Sequence, residues 1–192
     1  MKKYTVPALL SLAVALALSQ SGCMTADSSG GVLSPSGTAA LDSSATTALQ
    51  QLYAQQPAAK KLGKKAKAIL IFPDVVKGGF MIGAQTGNGV LRQNGKTVGY
   101  YNTTGVSYGY QVGLQSFGYV LFLMDAAALE HIHDNGGFEL GTGPSIAILD
   151  EGMAKSISTT TLDKDIYAFI FNQSGLMAGV GLQGSKITEI QP

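Results

Sequence analysis

Gly105-Val-Ser-Tyr-Gly-Tyr-Gln-Val-Gly-Leu-Gln115 splits by alternate residues into two faces. Val106, Tyr108, Tyr110, Val112 and Leu114 make one that is bulky and apolar or aromatic. Gly105, Ser107, Gly109, Gln111, Gly113 and Gln115 make another that is small or polar. Period two is the signature of a β-strand. Glycine weakens a strand unless something approaches its backbone closely or the sheet bends there. Three glycines on one face therefore predict tight curvature, or a helix lying flat against that face. We read the stretch as the central strand of a curved antiparallel sheet, with its apolar face turned to the core.

Working outward, Tyr119 to Met124 and Ala68-Ile-Leu-Ile-Phe72 are continuous apolar runs that predict buried strands. Gly79 to Gln85, Gly89 to Arg92 and Thr97 to Asn102 read as further strands, with Thr86-Gly-Asn-Gly89 as a turn between the first two. Asn94-Gly95 is a strong hairpin signal, because its turn needs positive φ at both positions. Asp125 is placed to cap a short helix over 126–133 that ends at Asn135-Gly136. Strands follow at 138–141, 145–149, 153–160, 166–172 and 176–183, with Asn172 to Gly175 as a hairpin turn. Connections too short for helical crossovers predict a mainly antiparallel sheet. The fold class is α+β: a strongly curved, barrel-like sheet with a few covering helices.

The chain has 192 residues, enough for one domain, with 25 glycines, 13% charged residues and no tryptophan. Lys2 and Lys3 precede an apolar stretch from Val6 to Leu18, too short for the roughly 20 residues a bilayer span needs. Residues 1–22 thus read as a signal peptide. Ser21-Gly22 before Cys23, the only cysteine, is similar to a bacterial lipobox and predicts acylation at Cys23. Gln20 departs from the usual leucine of that motif; an ordinary signal peptide with a leftover thiol is the plainer alternative. Met24 rather than Asp after the cysteine implies sorting to the outer membrane. The mature chain would carry eleven basic and twelve acidic side chains.

Residues 23–43, rich in Ser, Gly, Thr and Ala, read as a lipidated flexible tether reaching roughly 25 Å. The domain proper is expected over 44–192. It opens with two helical pieces, 45–55 and 57–67, parted by Pro57. On a helical wheel Lys60, Lys61, Lys64, Lys65 and Lys67 share an arc of about 160°, opposite Ala59, Leu62 and Ala66. This is a basic amphipathic helix. It is either a solvated face or a surface for anionic lipid headgroups, where each lysine is worth about 1 kcal/mol. Nucleic acid is the weaker reading, since an exported chain rarely meets it and aromatic interleaving is missing.

Three matches to catalytic or binding patterns fail on context. Gly179-Val-Gly181-Leu-Gln-Gly184 has the dinucleotide spacing, but strand-like residues follow where a helix is required. Gly105-Val-Ser107-Tyr-Gly109 has the nucleophile-elbow spacing, with Asp125 and His131 or His133 downstream, yet Ser107 sits inside a strand alternation. Glu130-His-Ile-His-Asp134 has metal-ligand types, but on a helix His131 and His133 point about 200° apart. No enzyme, cofactor or metal is expected.

Five pieces, in order over about residues 45–190, resemble the SYLF domain family, in particular bacterial SYLF-domain lipoproteins. They are Ala66 to Pro73, Val76 to Phe80, Gly87 to Leu91, Gly105 to Gly113 and Ser174 to Gly184. The resemblance implies binding to phosphoinositide or another anionic phospholipid without catalysis, and in some members actin. The expectation is a monomeric, lipid-anchored outer-membrane protein whose partners are membrane phospholipids. A surface module contacting a host or envelope protein is the alternative, and an exposed aromatic patch at Tyr100, Tyr101 or Tyr119 would favour it.

Overall fold

The structure, a computed structural model, describes residues 33–133, 138–139, 146–149, 164–175 and 185–192. Helix α1 (Pro35–Gln55) and helix α2 (Pro57–Gly63) precede the two longest strands, β1 (Ala68–Gln93) and β2 (Lys96–Leu123). Helix α3 (Ala126–His133) follows, then β3 (Phe138–Glu139), β4 (Ile146–Leu149), β5 (Ile166–Gly175) and β6 (Ser185–Ile190). No helix among the described residues is long and apolar enough to cross a membrane.

β1 and β2 form one antiparallel hairpin that pairs from Ala68↔Leu123 to Gln93↔Lys96. Its two-residue loop is Asn94-Gly95, at φ 50° and 77°, as the sequence predicts. β2 is the organising strand. Its other edge carries β5 along Gln115–Leu123 and β6 along Tyr100–Gly105, both antiparallel. β3 pairs antiparallel with β6, and β4 pairs parallel with β5. The result is α+β with a mainly antiparallel, curved six-stranded sheet. Its described ladders do not close, so the barrel-like part of the expectation is corrected to an open curved sheet.

The curvature comes from folding the hairpin back on itself. A Cβ on Gly87 would lie 2.7 Å from the Asp74 carbonyl oxygen, and one on Gly89 would lie 2.6 Å from the Phe72 ring. Residues 71–75 and 87–89 of a single strand are therefore in near contact, which only glycine permits. The reversal occurs where the register shifts between Phe80 and Ile82, opposite Val112 and Tyr108. The predicted turn at Thr86–Gly89 is instead paired strand, with Thr86 to Gly89 opposite Thr104 to Tyr101. Those glycines serve the contact between the arms of the hairpin, not a turn. Asn172 to Gly175 is likewise strand rather than hairpin turn: Asn172, at φ 52°, opens a β-bulge, and Ser174 and Gly175 pair with Ser116 and Gln115.

The apolar runs are buried on both faces. Leu70, Phe72, Phe117, Tyr119, Leu121 and Ile166 fill the core between the arms, closed by Ala128 and Ile132 of α3. Ile71, Val120, Phe122, Phe169 and Phe171 form a second core beneath Ala45, Ala48, Leu52, Ala59 and Leu62 of the two helices. Rings stack within the first layer (Phe72 and Tyr119, centroids 4.6 Å apart) and meet edge-on in the second (Phe122 and Phe169, 5.7 Å).

Two expectations change here. Val106 and Leu114, assigned to the core, are 59% and 65% exposed, while Gly105 and Gln115 are buried. At both ends of the stretch the faces are therefore inverted. A Cβ on Gly105 would sit 3.0 Å from Ser185 Oγ and 3.1 Å from the Gln85 side chain. Close approach on the inner side of the bend thus selects the small face. The helix also begins ten residues earlier than its periodicity predicts. Ser34 caps it by accepting from Gly37 N at 3.2 Å, and Pro35 occupies the first turn. Ordered chain therefore runs through residues 35–43, within the stretch read as tether.

Candidate functional site

The lysine cluster lies where α2 hands over to β1. Gln56, ahead of Pro57, is extended (φ −126°, ψ 92°) and separates the two helices, as a residue before proline prefers. α2 buries Ala59 and Leu62 and leaves Lys60 and Lys61 exposed. It stops at Gly63, four residues short of expectation. A Cβ there would collide with the Tyr53 ring and approach Phe122, so the chain turns against those rings instead of winding on. Leu62 O accepts from both Lys65 N and Ala66 N, and Lys67 N donates to Leu123 O to start the sheet.

The single five-lysine helical arc is therefore corrected: two lysines stand on a short helix, and Lys64, Lys65 and Lys67 stand on the turn and strand entry. All five are exposed. A groove of about 430 Å³ is lined by Lys65, Lys67, Gln93 and Asn94, together with Ala126 and Leu129 of α3. The folded hairpin places its own Asn94-Gly95 loop beside the lysines that precede it. What such a surface can do is hold a phosphate or another diffuse anion by charge, with amide donors at one side.

The other sequence candidates fall apart in space. Ser107 pairs with Gly83 inside the β1–β2 ladder, not at a strand-to-helix turn. Asp125 Oδ1 accepts from Ala128 N at 2.7 Å and is the N-cap of α3, as predicted. His133 Nδ1 lies 3.1 Å from the Tyr101 hydroxyl, while His131 is half-buried. Among the described residues no group of metal-ligating side chains gathers. Gly179 to Gly184 and Cys23 lie outside the described residues; the element after Gly184 is strand β6, not a helix.

Tyr101 and Tyr119 are fully buried, so they form no exposed aromatic patch. Burial pushes both phenols well above their ordinary pKa, and Glu189 adds to the rise at Tyr101. Tyr100 donates to Asp42 Oδ2 at 2.8 Å and is also raised, by burial first and by that carboxylate second.

Sequence reasoning missed two features. Asp42 pins α1 to the sheet through Thr97 Oγ1 at 2.6 Å, Tyr100 and Arg92. At the bend, Val76, Ile82, Val106 and Leu114 are exposed while Lys77, Gln85, Gln115 and Ser185 are buried. The second of these has a sequence signal: from Thr97 to Leu123 β2 carries no charged residue.

Fold and site together define an α+β domain built on one doubled-back hairpin, with a cationic end beside the hairpin loop. Residues 104–191 match the family model described as Ysc84, Las17-binding protein actin regulator. That match supports the SYLF-domain resemblance over the second half of the chain, and the lysines lie outside it. No curated protein matches the chain.

Proposed function

We propose that the protein is an outer-membrane lipoprotein, acylated at Cys23, whose SYLF-like domain binds anionic phospholipid headgroups through Lys60, Lys61, Lys64, Lys65 and Lys67. The observation that carries this reading is the exposure of all five cations at one end of the fold, two of them on a groove of phosphate-compatible size. At about 1 kcal/mol per lysine near an anionic surface, five suffice for reversible adsorption that a lipid anchor then makes lasting.

The test is co-sedimentation of a Cys23→Ser form, which cannot be acylated, with neutral and anionic vesicles at low and high salt. Salt-sensitive binding to anionic vesicles that disappears when the five lysines become Gln supports the reading. No binding at low salt sinks it and leaves the lysines as a solvated surface.

A second reading is a protein-docking module. The exposed aliphatic side chains at Val76, Ile82, Val106 and Leu114 favour it, as does the description of the matched family as a regulator that binds another protein.

A further inference from the structure

A second groove, which shares no lining residue with the first, lies between α1 and the sheet, with a volume of about 460 Å³. Two β-bulges build it. The register of β1 skips between Phe72 and Val75, and that of β5 skips between Phe171 and Ser174; both skips flank Gly118 of β2. A Cβ on Gly118 would strike the Phe171 ring at 2.6 Å and lie 2.9 Å from the Pro73 carbonyl oxygen, so glycine lets the two bulges close in on β2 from either side. Bulges commonly re-aim side chains at binding sites. Here they bring Asp74 and Asn172 to one groove, and the doubled-back arm adds Asn88. Ser44, Thr47 and Gln51 of α1 make the facing wall.

The polar groups are held in place and only partly used. Asn172 Nδ2 donates to Gln51 Oε1 at 2.8 Å, and Asn102 Nδ2 donates to Asn88 Oδ1 at 2.8 Å. Ser116 Oγ donates to Asp74 Oδ1. Among the described residues these bonds leave Asn172 Oδ1 and the second Asp74 oxygen as acceptors, and Gln51 Nε2 and Asn88 Nδ2 as donors. Acceptors and donors thus line the same groove. That arrangement suits groups which both give and take a hydrogen bond, namely hydroxyls on adjacent carbons. Leu41, Ala48 and Pro73 supply an apolar strip for a C–H face. Among the described residues the only charge in the lining is the Asp74 carboxylate, which disfavours anions.

We infer that this groove is a binding site for a neutral saccharide, with Gln51, Asp74, Asn88 and Asn172 as its hydroxyl-recognising groups. The site is independent of the lysine surface. Its volume falls within the roughly 300–1,000 Å³ of small-molecule sites.

Saturation-transfer NMR on the full chain, with maltotriose, cellotriose and chitotriose as probes, tests it. Asn172→Gly removes the amide while keeping the positive φ, and Gln51→Ala removes its partner. Saturation transfer to at least one trisaccharide is expected, with affinity falling about tenfold in each variant and melting temperature held. Ser44→Arg, which fills the groove from an exposed position, is expected to abolish the signal. No transfer to any of the three sugars at millimolar concentration overturns the proposal. So does transfer that survives all three variants, or binding of spermine in place of sugar through Asp74.

Discussion

Asp42→Ala separates the observed architecture from the one that composition alone suggests. Asp42 lies in a stretch rich in Ser, Thr and Ala that reads as tether, where the substitution would be silent. In the structure its carboxylate accepts from Thr97 Oγ1 at 2.6 Å and from Tyr100 at 2.8 Å, and it lies 3.8 Å from Arg92 Nη2. Hydrogen bonds to a charged group are worth about 1.5–3 kcal/mol each when buried. The Asp42 side chain is 33% exposed, so solvent screening lowers each to about 1 kcal/mol and leaves the ion pair at about 0.5 kcal/mol. The expected loss is about 2–3 kcal/mol, or a fall in melting temperature of roughly 5–10 °C for a domain of this size. Thermal unfolding followed by circular dichroism reads it, and a double-mutant cycle with Tyr100→Phe should show coupling of about 1 kcal/mol. An Asp42→Ala protein that melts with the wild type, and shows no coupling to Tyr100, would refute the docking of α1.

Two further perturbations follow from burial. Leu114→Ala, at a 65% exposed position, should change stability by less than about 0.5 kcal/mol, whereas Leu121→Ala, fully buried, should cost about 2–5 kcal/mol in urea unfolding; equal costs would restore the apolar-face-inward reading of the organising strand. Tyr119 is held neutral by burial, with its folded pKa raised above the ordinary 10.0 and Thr103 offsetting part of the rise. A raised folded pKa gives stability that is intact below pH 10 and lost as pH climbs above it, at about 1.4 kcal/mol per unit. Tyr119→Phe should remove that slope between roughly pH 10 and 11. An unchanged alkaline slope would contradict the assignment.

Much of the fold was legible because its signals are local. Asn94-Gly95 demanded a two-residue turn, and both residues have positive φ. Asp125 announced the start of α3, and Pro57 announced the break between the helices. Ala68 to Phe72 and Tyr119 to Leu123 are apolar at consecutive positions because a sheet layered between a helix pair and its own second arm has no wet face there. Of the candidate site, the five lysines and their exposure were readable, but their arrangement was not. The periodicity ran on past Gly63, and the Tyr53 and Phe122 rings that stop the helix come from elsewhere in the chain.

The sequence by itself determined the buried runs at Ala68–Phe72 and Tyr119–Leu123, the place of the hairpin loop and the Asp125 cap, since each depends on φ preferences and side-chain character within a few residues. Only the tertiary structure decided that Gly105 and Gln115 turn inward and Val106 and Leu114 outward, because alternation is symmetric and the choice at Gly105 rests on Gln85 and Ser185 crowding against it. Tertiary contact alone also merged the predicted short strands into β1 and β2, and made glycine a packing residue at 87 and 89 rather than a turn former. It likewise joined residues as distant as Gln51, Asp74, Asn88 and Asn172 in one groove, since no spacing rule connects side chains that only a doubled-back hairpin brings together.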